Sequence, residues 1–510
     1  IVAARLCLVG VQIEEETFTP EDFTKFEQRL AEGLEALRAL VARPGFGEGA
    51  TTIGAELEVN LVDAKAQPLL LNRQVLPLTD DARMTVELDR FNLECNARPT
   101  ALAGSPFSVL EAELESAMLE LGRAAAPLGG RVVAIGILPT LLAEHLQPEA
   151  ITDSPRYRAL SRSLRALRGA PFEARIDGEE PLTFECDDVQ MIGANTSFQV
   201  HLRVSPKDFA RTYNAAQMAI APVLAASGNS PLFLGRLLWQ ETRIALFKQG
   251  TDARSAREPV ASVAPDTGWR RPSRVAYGHG WVRDGVVELF EENVRLHAPL
   301  LPVVGHEDPR AVLAAGGMPE LAELRLHHGT VYPWNRAIFD PSSGGHLRVE
   351  LRALPAGPSI VDMVASAAFL LGLTLGLAPQ MDGLLPGLPF PLAEWSFYRA
   401  AKQGLDAELL WPTSRGVSPE LVSARVLIAR LAPLACEGLI SGGVDAAEAS
   451  RLIDLFVARA ESGRTGARWQ RAALAKLEAD MPRSQALAAM VERYMERAAS
   501  KLPVHEWPIP

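Results

Sequence analysis

Cysteine is scarce in this chain. Its 510 residues include four (Cys7, Cys95, Cys186, Cys436), far apart and without a Cys-x-x-Cys pair. That excludes a disulfide framework and a structural zinc knuckle, and it suits a reducing, cytoplasmic compartment. Positive charge is also short: 51 Lys and Arg against 62 Asp and Glu leave a net charge of -11. Apart from the short Arg270-Arg271-Pro-Ser-Arg274 group the basic residues are scattered. No stripe follows a phosphate backbone, so nucleic acid is not an expected partner. There is no Walker loop. A clear membrane span is missing too. The uncharged run nearest to a possible span, Met363 to Gln380, is marginal against the ~20 residues a span needs. Its glycines and Ser366 fit a buried core helix, started by Ser359 with Asp362 three residues on. No repeat or low-complexity segment occurs. What is there, 48% hydrophobic and 22% charged residues, reads as globular: two or three ordinary domains, or one large catalytic unit with additions. The chain starts at Ile1 rather than Met, which leaves a preceding targeting segment open.

Against this background, four stretches alternate. From His346 to Pro355 every second residue is apolar. In an extended strand successive side chains point to opposite faces, so Leu347, Val349, Leu351 and Ala353 oppose His346, Arg348, Glu350 and Arg352. From Ile53 to Asp63, Ala55, Leu57, Val59 and Leu61 oppose Glu56, Glu58 and Asn60. Two carboxylates two residues apart on one strand face lie about 6–7 Å apart, which is repulsive when empty and useful when hard cations lie between them. Between Met84 and Asn96, Phe91, Leu93 and Cys95 oppose Asn92, Glu94 and Asn96. Between Asn195 and Val204, Phe198, Val200 and Leu202 oppose Ser197, Gln199, His201 and Arg203.

Taken singly, each strand reads equally as part of an antiparallel sheet with one face in water, and His201 as a hydrogen-bonded structural residue. Joined in one sheet, they gather Glu56, Glu58, Glu94, His201 and Glu350, with Arg348 and Arg352, on a face that carries no lysine. Oxygen donors with one imidazole suit Mg²⁺ or Mn²⁺. Arginines supply the planar fork that phosphate or carboxylate oxygens accept. Without a Walker loop, this combination points to metal-ATP chemistry on a sheet floor.

The rest is scaffold. Thr19-Pro20-Glu21-Asp22 starts a helix with Phe23, Phe26, Leu30, Leu34, Leu37 and Leu40 on one stripe. Ser105-Pro106 starts another, and Arg131 to Leu138 reads as a buried strand. Gly235 to Gln249 reads as one helix with Arg236, Gln240 and Arg243 on a common stripe, either solvated or aimed into a site. Residues 250–285 read as long loops with a hairpin at Tyr277 to Trp281. Val286 to Leu296 reads as a helix. His327 and His328 point to opposite sides of a strand and make a poor metal pair. Residues 395–510 turn to Ala, Leu, Arg and Glu at helical spacing. With turns at Ser441 to Gly443 and Gly463 to Gly466, they read as about three helices, an extension packed on a catalytic unit of residues 1–394.

The stretches Ile53-Gly-Ala-Glu56-Leu-Glu58, Arg90-Phe-Asn92-Leu-Glu94-Cys-Asn96, Val200-His201-Leu and Arg348-Val-Glu350-Leu-Arg352 follow in that order on one type of element. In this the chain resembles the carboxylate-amine ligases that include the glutamate-cysteine ligases, over about residues 15–400. The resemblance implies an α+β protein with the glutamine-synthetase-like catalytic fold, a curved antiparallel sheet whose concave face binds ATP and metals, flanked by helices. It implies Glu56, Glu58, Glu94, His201 and Glu350 as Mg²⁺ ligands and Arg352 as a phosphate contact. Arg243 and Arg348 are added as further catalytic arginines, Arg243 also on the nucleotide. The implied reaction phosphorylates a carboxylate, that of glutamate among the candidates, with ATP; an amine such as cysteine then displaces phosphate. Small molecules are the expected partners, with no membrane, and a homo-oligomer is left open. If the acids repel one another, Glu350→Gln should hold or raise the stability of the metal-free protein. Two other classes remain: a non-catalytic metabolite sensor on the same fold, which would need some of these acids replaced, and a guanidino kinase, disfavoured because no cysteine stands beside the Glu350-x-Arg352 strand.

Overall fold

Eleven residues of alternating sequence form the strand on which the sheet is built. In the computed structural model, which describes residues 13, 15–254, 271–413 and 418–509, one sheet contains β1 (Thr52–Val62), β2 (Met84–Val86), β3 (Asn92–Asn96), β4 (Thr100–Ala101), β5 (Arg131–Val133), β6 (Phe198–Val204), β7 (Asn335–Asp340) and β8 (His346–Leu351). The spine runs β7-β8-β6-β1-β3-β2, with β4 and β5 paired to opposite ends of β1. Every pairing is antiparallel, and the sheet curls into an open half-barrel. The α+β class and the curved antiparallel sheet expected from the sequence are both present.

Period-two alternation puts the apolar half of each strand on the convex side. Ala55, Leu57, Val59, Leu93, Phe198, Val200, Leu347, Val349 and Leu351 are all at most 2% exposed. Three of the helices around this sheet, those that follow Thr19, Ser359 and Thr465, start where a side chain satisfies a first-turn amide. Thr19 caps α1 (Pro20–Val41) in a reciprocal bond with Asp22. The others that matter here are α2 (Pro106–Ala125), α3 (Phe209–Ser227), α4 (Thr242–Gly250), α5 (Ile360–Leu377), α6 (Phe390–Gln403), α7 (Ala424–Ser441), α8 (Ala446–Ser462), α9 (Gly466–Leu477) and α10 (Arg483–Ala499). The apolar run lies in α5, which begins at the Ser359 cap and packs on α2, α3, α7 and α8. It is long and apolar enough to cross a membrane, but 83% of its apolar window is buried by protein. Gly438 of α7 crosses α5 backbone to backbone: a methyl group there would sit 2.0 Å from the Gly372 carbonyl.

Several expectations are corrected. Gly235 to Gln249 is not one helix. Leu234 and Gly235 take positive φ, Arg236 and Leu237 enter a short hairpin, and α4 begins only at Thr242. Arg236, Gln240 and Arg243 therefore share no stripe. Met84 to Asn96 is two strands joined by a turn, and the strand from Arg131 ends at Val133. His327 and His328 close a helix, Ala322–His328, rather than lying in a strand. Both are buried structural residues: His328 Nε2 bonds the Ala337 carbonyl and His327 Nε2 the Asn293 carbonyl. No hairpin forms at Tyr277 to Trp281. Residues 255–270, most of the expected long loop, lie outside the described residues, as do Cys7 and Arg270. Past α6 the described residues form four further α-helices and a hairpin, Glu408–Trp411 with Glu420–Ser423. Residues 394 and 395 both lie inside α6, and α7 and α8 share the core around α5. Helices α9 and α10 build a second cluster with Val62, Val133 and Ile135, centred on Trp469, Tyr494 and Trp507.

Candidate active site

Register decides which polar side chains meet on the concave face. Glu58 of β1 lies opposite Glu94 of β3, Glu56 opposite Gln199 of β6, and Gly54, with no side chain, opposite His201. His201 faces Glu350 of β8, which faces Arg336 of β7. Opposed residues in such a pair are about 4.5–5.5 Å apart, so the acids collect in two trios. Ligand atoms of Glu56, His201 and Glu350 lie within 4.8 Å of one another, and so do those of Glu58, Glu87 and Glu94. Every acid and the histidine expected from the sequence fall in one trio or the other. Glu87, which the sequence reading missed, completes the second from the turn after β2.

In the first trio, His201 Nε2 is 3.2 Å from Glu56 Oε1 and 3.9 Å from Glu350 Oε1. Both ring nitrogens are buried without a hydrogen-bond partner, although buried polar atoms are normally bonded. An unpartnered imidazole facing two carboxylates fits a hard dication with mostly oxygen ligands. Glu350 is fully buried, and Arg336 grips it at 2.5 and 3.0 Å while Arg352 lies 3.2 Å away. Burial alone would raise its pKa, but Arg336, Arg352 and His201 outweigh it and hold the carboxyl well below the usual range. Glu350 is thus not one more repelled acid, as the sequence suggested. It is the anion between two guanidiniums.

The second trio has the opposite electrostatics. Burial, then the charge of Glu87, pushes Glu58 up to about 7, against pulls from Arg352 and Arg243. Burial and the carboxylates of Glu56, Glu87 and Glu58 raise Glu94 well above its ordinary value. Glu87 is raised chiefly by burial. Glu58 is held in place by the Ser197 amide at 2.6 Å and by Gln199 Nε2 at 3.0 Å. Asn96 donates to Glu94 at 2.7 Å. Three mutually repelling carboxylates kept together by neutral donors are what a cation site requires.

The arginines divide by environment. Arg352 bonds Gln199 and Glu350 between the trios. Arg348 lies further along β8, 2.9 Å from Asp340 and directly opposite Arg203, whose Nη2 donates to the Glu48 carbonyl. Like charges directly opposite destabilise a sheet, yet the Nε atoms of both arginines and Nδ1 of His346 are buried without partners. Arg243 is 3% exposed and already committed: it donates to Glu241 at 3.0 Å and to the Ala353 carbonyl.

A sequence profile of Glutamate-cysteine ligase family 2 (GCS2) matches residues 52–496. The chain belongs to that family. It is an ATP-dependent carboxylate-amine ligase. Among curated proteins none matches. Among solved structures, a glutamate-cysteine ligase from Francisella tularensis, crystallised with AMP, covers 91% of each chain with a TM-score of 0.53 and 11% identity. That likeness is one of fold. A bifunctional glutathione synthetase from Pasteurella multocida covers 94% of this ligase and 55% of its own chain, with a TM-score of 0.44 and 12% identity, too distant to bear on function.

Proposed function

We propose that this ligase uses ATP and Mg²⁺, or Mn²⁺, to activate the γ-carboxylate of glutamate as an acyl phosphate, which the amine of cysteine or another amino compound then attacks to release phosphate. The observation that carries the reading is the pair of trios, Glu56-His201-Glu350 and Glu58-Glu87-Glu94, on one concave face with Arg352 between them.

Carboxylate and ATP repel each other, and bound cations would offset that repulsion and the charge spread over the transferred phosphoryl group. The chain supplies the rest. Gln199 braces both Glu58 and Arg352, so carboxylate and guanidinium keep a fixed spacing. Glu350 and Gln199 hold Arg352 in place as a planar donor for a phosphoryl oxygen. The unpartnered nitrogens of Arg203, Arg348 and His346 favour the anionic nucleotide at that end of the sheet. The sensor alternative loses ground because every acid expected on this face is present in one trio or the other.

The test is phosphate release from ATP with glutamate and a panel of amines, together with a hydroxylamine trap. The proposal expects hydroxamate from glutamate and ATP alone, and phosphate release that rises with the correct amine. No hydroxamate, and no release with any pair at saturating Mg²⁺, would sink it.

A further inference from the structure

Behind the end of β8 lies a fully buried polar relay that neither trio uses. Tyr494 of α10 is completely buried; its hydroxyl donates to the Ala134 carbonyl at 2.9 Å and accepts from Asn229 Nδ2 at 2.8 Å. The same Nδ2 donates to the Ala356 carbonyl at 2.7 Å, and the Asn229 amide donates to Glu241 Oε2 at 2.7 Å. Glu241 accepts from Arg243, whose guanidinium reaches the Ala353 carbonyl, next to Arg352. Gln470 of α9 locks Asn229 from the other side with bonds of 2.9 and 3.1 Å to its Oδ1 and main-chain carbonyl. The segment leaving β8 also pairs with the start of β6: Phe198 donates to the Leu354 carbonyl and Ala356 to that of Thr196, on either side of Ser197, which holds Glu58.

No slack is left in this ring. A methyl group at Gly357 would sit 2.3 Å from both the Ala134 carbonyl and the Tyr494 hydroxyl, and one at Gly466 would sit 2.1 Å from Asn229 Oδ1. Apart from Gln470 Oε1, which is buried without a partner, the polar side-chain atoms of this ring are bonded, and such a network specifies one arrangement. The atoms they fix are the main chain after Arg352 and the guanidinium of Arg243.

We propose that Asn229 and Tyr494 are positioning residues, a relay through which α9 and α10 set the place of Arg243, whose guanidinium in turn holds the Ala353 carbonyl beside Arg352. The last two helices thereby contribute to turnover without touching substrate. The idea does not depend on glutamate as substrate: any carboxylate and amine that drive ATP turnover report on it, so failure of glutamate leaves the test intact.

The test is a double-mutant cycle on steady-state kinetics. Tyr494→Phe removes one hydroxyl and should lower kcat about tenfold, as a displacement of well under 1 Å does, with KM for ATP changed less than about twofold and Tm lowered by about 1–2 °C. In an Arg243→Lys background the same change should cost less than about twofold in kcat, because the group it positions is already lost. Trp507→Phe is the control. Trp507 packs on Tyr494, and its indole nitrogen bonds only Leu502, so it should lower Tm comparably and leave kcat alone. Multiplying effects of Tyr494→Phe and Arg243→Lys, or equal kcat losses in Tyr494→Phe and Trp507→Phe, would overturn the proposal. Should Tyr494→Phe not fold, Gln470→Met carries the same cycle with the same two outcomes.

Discussion

Replacing Glu350 and Glu94 by glutamine, one at a time, should move the stability of the metal-free protein in opposite directions. Both acids face one concave surface and both substitutions are nearly isosteric. Glu350, however, neutralises Arg336 and Arg352, with Arg336 only 5% exposed. Removing one partner of a buried pair leaves an uncompensated charge and costs about 3–5 kcal/mol. Unfolding entropy of about 2.1 cal/mol/K per residue over 510 residues is about 1.1 kcal/mol/K, so the loss corresponds to a Tm lowered by about 3–5 °C. Glu94 stands among Glu56, Glu58 and Glu87, which raise its pKa together with burial. Its replacement removes repulsion, and Tm should stay level or rise. The assay is thermal melting in excess chelator, repeated over a Mg²⁺ titration in which both variants should lose most of the metal-dependent stabilisation. Glu350→Gln melting within about 1 °C of wild type, or Glu94→Gln falling as far as Glu350→Gln, would refute the reasoning.

Arg352→Lys keeps the charge but loses the fork, and phosphate release should drop at least ~10²-fold; near-normal turnover would remove Arg352 from the site. Glu87→Gln should raise the Mg²⁺ concentration for half-maximal turnover by at least ~10-fold, since an amide is a weak ligand for a hard dication; an unchanged titration would leave only two carboxylates in that trio. For pH, the native state holds the Glu58 proton up to about 7 while the unfolded chain releases it near 4.5, so the native state binds more protons in that window and stability falls as pH rises through it. Relative to Glu58→Gln, the metal-free wild type should lose up to about 3 kcal/mol between pH 4.5 and 7; denaturant melts showing no such divergence would exclude it.

The parts of this site that lie on long strands were legible, because period-two alternation assigns a face to every residue of β1, β6 and β8 at once. Glu87 was not, since a turn residue belongs to no period and only the folding of β2 onto β3 brings it beside Glu94. Nor was the sign of the field at Glu350. It depends on Arg336 in β7, a strand whose short alternation follows two histidines that suit a strand by sequence but close a helix. The helical spacing of Arg236, Gln240 and Arg243 misleads, because Arg236 pairs in a hairpin and the helix begins only at Thr242. Arg243 reaches the site through Glu241 and Ala353, contacts that no local pattern encodes.

The strand order has a consequence for how the protein comes into being. Glu58 and His201 sit on neighbouring strands although about 140 residues separate them, and His201 and Glu350 likewise across about 150. Closing loops of that length comes before the pairing that rewards it, which makes such sheets slow to assemble. Until β8 docks, an emerging chain carries Glu56, Glu58, Glu87 and Glu94 with neither His201-Glu350 pairing nor Arg352 between the trios. Unfinished β1 and β6 edges are exposed over the same interval, open to pairing with other chains. Yield from the cell should therefore respond to chaperones and to the rate of synthesis more than the stability of the finished enzyme would suggest.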